Sequence, residues 1–199
     1  MKLAYAEKKL SDANLEKLKL RLGNKSIVLI GMMGAGKTSL GRRLAVVLGR
    51  KFIDSDIEIE KASALSIADF FKIHGEAEFR KGETRVISRI IKEKNSVIGT
   101  GGGAFMNEKT RAKIKEKALS IWINADFEIL FERISRRPSR PLMQNKNPRE
   151  TLKKLIEDRY PTYEKADLSV MSKDVPHDEV INQILNAIFD YYEKAEVKK

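Results

Sequence analysis

Cysteine is absent from the 199-residue chain, which excludes thiolate nucleophiles, disulfides, iron–sulfur clusters and Cys-ligated zinc. Only two histidines occur, His74 and His177, and they lack the close spacing of a metal-binding pair. A divalent metal therefore has to be held by oxygen. No apolar run reaches the ~18 to 20 residues that a membrane helix needs. The first ten residues have neither the apolar stretch nor the small-residue cleavage site of a signal peptide. A cytoplasmic protein with no membrane partner is expected. Aromatic residues make up 7% of the chain and the one tryptophan, Trp122, sits inside an apolar run, so no aromatic-studded strand is available to stack nucleic-acid bases.

What the chain has in excess is positive charge, a formal net +11. Two segments hold much of it. Residues 1–25 carry seven basic against three acidic side chains, and residues 133–165 carry ten against four. Anionic partners follow, but the charge alone does not choose between nucleotides, nucleic acid, anionic lipid and acidic metabolites. A chain of this length can bury roughly 70% of its unfolded surface, enough for one compact domain without staples.

Residues 1–24 place Leu10, Leu15, Leu18 and Leu22 at helical spacing and end at Gly23-Asn24, which predicts a basic helical extension preceding a domain over 25–199. Beyond it, short apolar runs at 27–30, 52–53, 97–98, 119–123 and 168–171 alternate with helical stretches at about 36–48, 57–94, 108–116, 127–134, 149–159 and 178–192. The long stretch is broken near Gly75. Such alternation predicts an α/β fold of three layers, helices on both faces of a central parallel sheet of about five strands. Ligands should bind at the carboxyl ends of those strands.

The first apolar run leads directly into Gly31-Met32-Met33-Gly34-Ala35-Gly36-Lys37-Thr38, which satisfies GxxxxGK[ST] in a strand, loop, helix context. Backbone amides around Gly34, Ala35 and Gly36, together with Lys37, Thr38 and Ser39 at the start of the helix, should surround the phosphates of a nucleotide. Lys37 is expected to bridge the β and γ phosphates and the Thr38 hydroxyl to ligate Mg²⁺. Hydrolysis to drive a switch and transfer to a small acceptor both remain open at this point.

After the second run comes Asp54-Ser55-Asp56, two carboxylates on one side of an extended chain. Asp54 can stand near the magnesium shell, and Asp56 can accept a hydrogen bond from an attacking alcohol; helix capping by Asp56 is the plainer alternative. Arg80 and Glu83 lie three apart on a helix and can pair. The run Gly101-Gly102-Gly103 closes a buried strand, where three glycines are tolerated if a ligand approaches the main chain.

In order and separation, the nucleotide loop, the Asp54/Asp56 pair, Gly75-Glu76-x-x-Phe79-Arg80-x-x-Glu83, the triple glycine, Arg140-Pro141-Leu142 and Arg159-x-Pro161-x-Tyr163 resemble shikimate kinase. The similarity covers about residues 26–190. It implies a P-loop kinase fold with a mobile lid at about 135–148 and a substrate region at about 55–95. It also implies ATP and Mg²⁺ as cofactors, and phosphorylation of the 3-hydroxyl of shikimate on the route to aromatic amino acids by a monomer. By the same resemblance, Asp56 is the base, Asp54 supports magnesium, Arg80 and Arg159 clamp the substrate carboxylate, Glu83 orients Arg80, a Gly102 amide contacts substrate and Phe79 packs beside its ring. Arg140 would be the lid arginine and Arg133 the one stacked on adenine. Two guanidiniums on one carboxylate would make charge-assisted, often bidentate bonds, consistent with that assignment.

Two departures accompany the likeness. Met143 stands where the pattern has leucine, and Asp174 occupies a segment, residues 172–176, that often carries a basic residue, which bears on selectivity for the nucleotide base. A kinase of the same fold acting on gluconate would not need the paired arginines. A nucleic-acid-binding protein built on the basic segments is permitted by charge but supported by no motif.

Overall fold

A computed structural model describes residues 9–136 and 146–197. Five strands, β1 (Ser26–Ile30), β2 (Lys51–Asp54), β3 (Ser96–Gly99), β4 (Ala118–Asn124) and β5 (Leu168–Met171), form one parallel sheet in the order β2-β3-β1-β4-β5. Every residue of β1 and β3 is buried, as a strand covered on both faces requires. Among the described residues the flanking helices are α1 (Asp12–Leu22), α2 (Lys37–Leu48), α3 (Ser55–Ser63), α4 (Ile67–Ile90), α5 (Glu108–Lys117), α6 (Phe127–Ser135), α7 (Pro148–Tyr163) and α8 (His177–Val197), with a short 3₁₀ turn at Ala104–Met106.

Register decides where chemistry can occur. Gly99 is paired with Leu29 on one side and Asp54 on the other, and Ile30 is paired with Trp122. The chain therefore leaves β1, β2 and β3 at the same level. The nucleotide loop, Asp54-Ser55-Asp56 and the triple glycine emerge side by side where the connections from β1 diverge.

The helix expected near the start of the chain forms. Ser11 caps it by accepting from the Asn14 amide at 3.3 Å, Asp12 lies in its first turn and Lys19 and Arg21 in its last, favourable signs for the helix dipole. Leu18 and Leu22 are buried in the main core. Arg21 pairs with Glu193 and Glu196 of α8 and lies 5.5 Å from the Phe189 ring, Lys17 reaches Glu193 at 3.0 Å, and Arg50 donates to the Gly23 and Lys25 carbonyls. Leu18→Ala should accordingly cost about 2 to 5 kcal/mol of unfolding free energy, read as a lower urea midpoint. A loosely attached extension would leave that midpoint unchanged.

Two boundaries differ from the sequence reading. The stretch from 57 to 94 has a second break, at Ala64–Ser66. Ala64 takes φ 54°, and Ser66 opens α4 by accepting from the Asp69 amide at 3.1 Å while donating to its carboxylate at 2.6 Å. Within α4, Gly75 is the break expected, at φ 76° and ψ 173°, a conformation a side chain would resist. Helix α7 does not stop near Arg159 but continues through Pro161 to Tyr163. That extra turn places Tyr163 four residues beyond Arg159, on the same helix face.

Candidate active site

The nucleotide loop is shaped by a close approach of main chain to main chain. Gly31 has φ 141°, and a Cβ there would meet the Ile123 carbonyl oxygen at 2.5 Å. Only glycine fits. Ala35 is buried, and Gly36, also at positive φ, starts α2 without a side-chain cap, so the first amides of the helix face outward toward the cleft. Lys37 Nζ donates to the Gly31 and Met32 carbonyls, 2.8 Å each, and so lies folded over the loop. Gly34, Gly36, Lys37, Thr38 and Ser39 line a cleft of about 570 Å³ whose far wall is Asp54, Asp56 and residues 99–102.

Thr38 Oγ1 lies 3.1 Å from Asp54 Oδ2. A hydroxyl and a carboxylate oxygen this close are hard donors of the kind Mg²⁺ takes one or two of, the remaining ligands being phosphate and water, so the pair fits the ion. Among the described residues no cluster of three or more His, Cys, Asp or Glu side chains could hold a metal by protein groups alone.

Asp54, not Asp56, caps α3, its Oδ1 accepting the Asp56 amide at 3.1 Å. Asp56 is thereby left free to project toward the triple glycine. There the missing side chains have a direct explanation. A Cβ on Gly101 would lie 2.8 Å from Asp56 Oδ1 and 3.1 Å from Glu83 Oε1; on Gly102, 3.1 Å from Arg159 Nη1; on Gly103, 2.5 Å from Arg80 Nη1. Asp56, Glu83, Arg80 and Arg159, drawn from α3, α4 and α7, thus converge on three consecutive residues. Arg80 is held on its own helix by Glu83 at 2.8 Å and Glu76 at 3.1 Å. Glu83 is 2% exposed, yet this partner keeps its charge compensated.

Electrostatics follow from enclosure. Burial, reinforced by the neighbouring Asp54 carboxylate and opposed by Lys37, raises the Asp56 pKa. Burial also raises that of Glu83, against the pull of Arg80. A carboxylate held above its ordinary range is a better proton acceptor than a solvated one, which suits a group facing an alcohol.

Other expected residues fall as follows. Phe79 is 4% exposed and stacked on Phe71 at 4.4 Å, with the Arg80 guanidinium 5.2 Å from its ring, so it is walled in by protein. Arg133 reaches the cleft and donates to Ser172 Oγ and the Lys173 carbonyl, both at 3.0 Å, tying down the segment that carries Asp174. Asp174 lines the same cleft, as does His177. Arg140, Met143 and most of the expected lid lie outside the described residues.

The family model for shikimate kinase matches residues 33–189. The chain belongs to the shikimate kinase family. Within that family, the shikimate kinase of Rhodopseudomonas palustris is 49% identical over 85% of this chain and 84% of its own length. That of Rhizobium meliloti is 44% identical over 88% of this chain and 92% of its own. A solved shikimate kinase structure, from Acinetobacter baumannii in complex with shikimate, superposes with a TM-score of 0.82 at 34% identity, covering 87% of this chain and 97% of that one.

Three residues at this site went unassigned in the sequence reading. Ser55 is fully buried and accepts the Gly101 amide at 3.2 Å. His177 opens α8 at the cleft, and Tyr163 donates its hydroxyl to the Gly102 carbonyl. Ser55 and Tyr163 each stand inside a motif already singled out, which was the available signal; His177 carried none.

Proposed function

We propose that the protein transfers the γ-phosphoryl group of ATP to the 3-hydroxyl of shikimate, giving shikimate 3-phosphate and ADP for the synthesis of aromatic amino acids. Membership of the shikimate kinase family supports the reaction. The observation that carries it to particular residues is the convergence of two arginines and a pKa-raised carboxylate on one glycine run beside the nucleotide loop.

In this reading Arg80, oriented by Glu83, and Arg159 grip the substrate carboxylate, and the Gly102 amide contacts the ring substituents. That grip presents the 3-hydroxyl to Asp56 Oδ1, next to Gly101. Asp56 accepts the hydroxyl proton as oxygen bonds to the γ-phosphorus and the bond to the β-phosphate oxygen breaks, ADP leaving. Because the transition state is loose, alignment contributes more than proton removal. Thr38 and Asp54 would hold Mg²⁺, which when bound neutralises charge on the β and γ phosphates. Lys37 would exchange its loop carbonyls for phosphate oxygens, and the amides of Gly34, Ala35, Gly36 and Ser39 would complete the nucleotide contacts. Arg133 would flank adenine, Asp174 would accept a hydrogen bond from an exocyclic base amine, and Arg140 would close over the transferring group from a lid at 135–148. We assign catalysis to residues 25–199 acting as a cytoplasmic monomer, with residues 1–24 as an accessory basic extension that carries α1.

Purified protein with ATP and Mg²⁺ should release ADP only when shikimate is added, as followed in a coupled assay at millimolar substrate. Gluconate in parallel should give no ADP above background. Absence of shikimate-dependent release, or a larger response to gluconate, overturns the assignment.

A further inference from the structure

Tyr163 has no task in the reaction just described, yet it is among the most thoroughly enclosed side chains, at 0% exposure. A phenol buried this deeply must have its hydroxyl satisfied. Here the hydroxyl donates to the Gly102 carbonyl and lies 3.8 Å from Met32 Sδ of the nucleotide loop. Arg159, one turn earlier on α7, stands close enough to the same phenol for its guanidinium to oppose the rise in pKa that burial imposes. The ring is fixed independently, with Trp122 at 6.0 Å and Tyr160 at 6.2 Å between centroids.

The glycine run needs such a partner. Residues 101–103 carry no side chains of their own to restrict their peptides; the turn that follows holds the Gly101 and Gly103 carbonyls, which accept from the Ala104 and Met106 amides at 3.1 Å, and the Gly102 carbonyl is left to a partner from outside. Ser55 Oγ holds the Gly101 amide at 3.2 Å and Tyr163 holds the Gly102 carbonyl, which leaves the Gly102 amide between two fixed peptides. Gly102 is also crowded: a Cβ there would stand 3.1 Å from Arg159 Nη1 and 3.5 Å from the Gly31 carbonyl oxygen.

We propose that Tyr163 is a positioning residue for the phosphoryl acceptor: its hydroxyl sets the Gly102 peptide and the Arg159 guanidinium relative to each other, and sets both against the nucleotide loop at Met32. The inference rests on the shikimate reading of this site and adds a residue that reaches the substrate only through others. Its consequence is selective. Losing the hydroxyl should disorder the carboxylate subsite while the nucleotide loop, closed by Gly31 against Ile123, keeps its shape.

The test is a double-mutant cycle on binding, followed by NMR titration so that millimolar affinities are measurable. Tyr163→Phe keeps the buried ring and should weaken shikimate about tenfold, with ATP affinity changed less than about twofold. In an Arg159→Ala background the same change should cost less than about threefold, because part of what Tyr163 positions is already gone. Tyr160→Phe is the control: it removes a comparable buried hydrogen bond, 2.7 Å to the Ala125 carbonyl, on the same helix, and should leave shikimate affinity unaltered. Wild-type affinity in Tyr163→Phe, equal losses of ATP and shikimate, or a full tenfold cost retained in the Arg159→Ala background overturns the proposal. Failure of the underlying reading looks different, since wild-type protein would then neither bind shikimate nor release ADP with it, and the positioning role falls too.

Discussion

Asp56→Asn should lower kcat by roughly 10²- to 10⁴-fold with little change in ATP affinity, because asparagine keeps the volume beside Gly101 but cannot take the hydroxyl proton. The lower end of that range applies if alignment dominates, the upper end if proton acceptance does. Steady-state kinetics at saturating ATP check it, and activity within threefold of wild type would remove Asp56 from the chemistry. The pH dependence adds a second reading on the same group. Asp56 must be ionised to act, and burial together with Asp54 raises its pKa, so kcat/KM should fall as pH drops through a limb lying above the ordinary carboxylate range. Glu83 is displaced in the same direction and its protonation would loosen Arg80, so it contributes to that limb.

The same substitution should raise the melting temperature. For an acid whose folded-state pKa exceeds its unfolded value, stability is greatest below the unfolded pKa and declines as pH rises through the folded one. At neutral pH the ionised Asp56 therefore costs stability, and a neutral amide removes that cost. Lost turnover with gained stability is the signature expected of a group strained for function.

How much of this was legible beforehand depends on the kind of signal. Strand positions were clear because buried parallel strands are uninterrupted apolar runs, and β5 appears with the expected ends. The Ser66-x-x-Asp69 cap was written in the sequence but outweighed by the stronger break at Gly75, so α3 and α4 read as one region with one interruption. Helix α7 runs past its expected end at 159, through Pro161, and the hydrogen bond from Tyr163 to Gly102 is a tertiary contact that no local pattern announces. Site residues on local motifs, Lys37, Thr38 and Asp54, were accessible from spacing alone. The approach of Arg80 and Arg159 to one glycine run was not, since bringing side chains of α4 and α7 to the same strand end is a property of the sheet order. Resemblance to a family carried that pair, and the structure shows what the glycines leave room for: a methyl group at any of the three would displace the end of a charged side chain. Capping of α3 by Asp54 rather than Asp56 likewise depends on backbone angles that neither composition nor periodicity fixes.

Arg159→Ala and Arg80→Ala should each weaken shikimate binding by about 2 to 4 kcal/mol while ATP binding barely changes, the loss expected when a carboxylate gives up a charged, bidentate partner. Their effects on stability should diverge. Glu83 is 2% exposed and is bonded to Arg80 at 2.8 Å, so Arg80→Ala strands a buried carboxylate, and breaking such a pair typically costs about 3 to 5 kcal/mol. Part of that cost is avoided by proton uptake, because the pKa of Glu83 is already raised. Arg80→Ala should therefore lower the urea midpoint more at pH 8 than at pH 5, whereas Arg159→Ala leaves Glu83 its partner and should shift the midpoint little at either pH. Adding Glu83→Gln to Arg80→Ala should restore most of the stability and none of the shikimate affinity. If that double variant recovers binding, or if Arg159→Ala destabilises as much as Arg80→Ala, the two arginines do not divide the labour this way: one held by a buried carboxylate, the other standing beside Gly102 with no carboxylate depending on it.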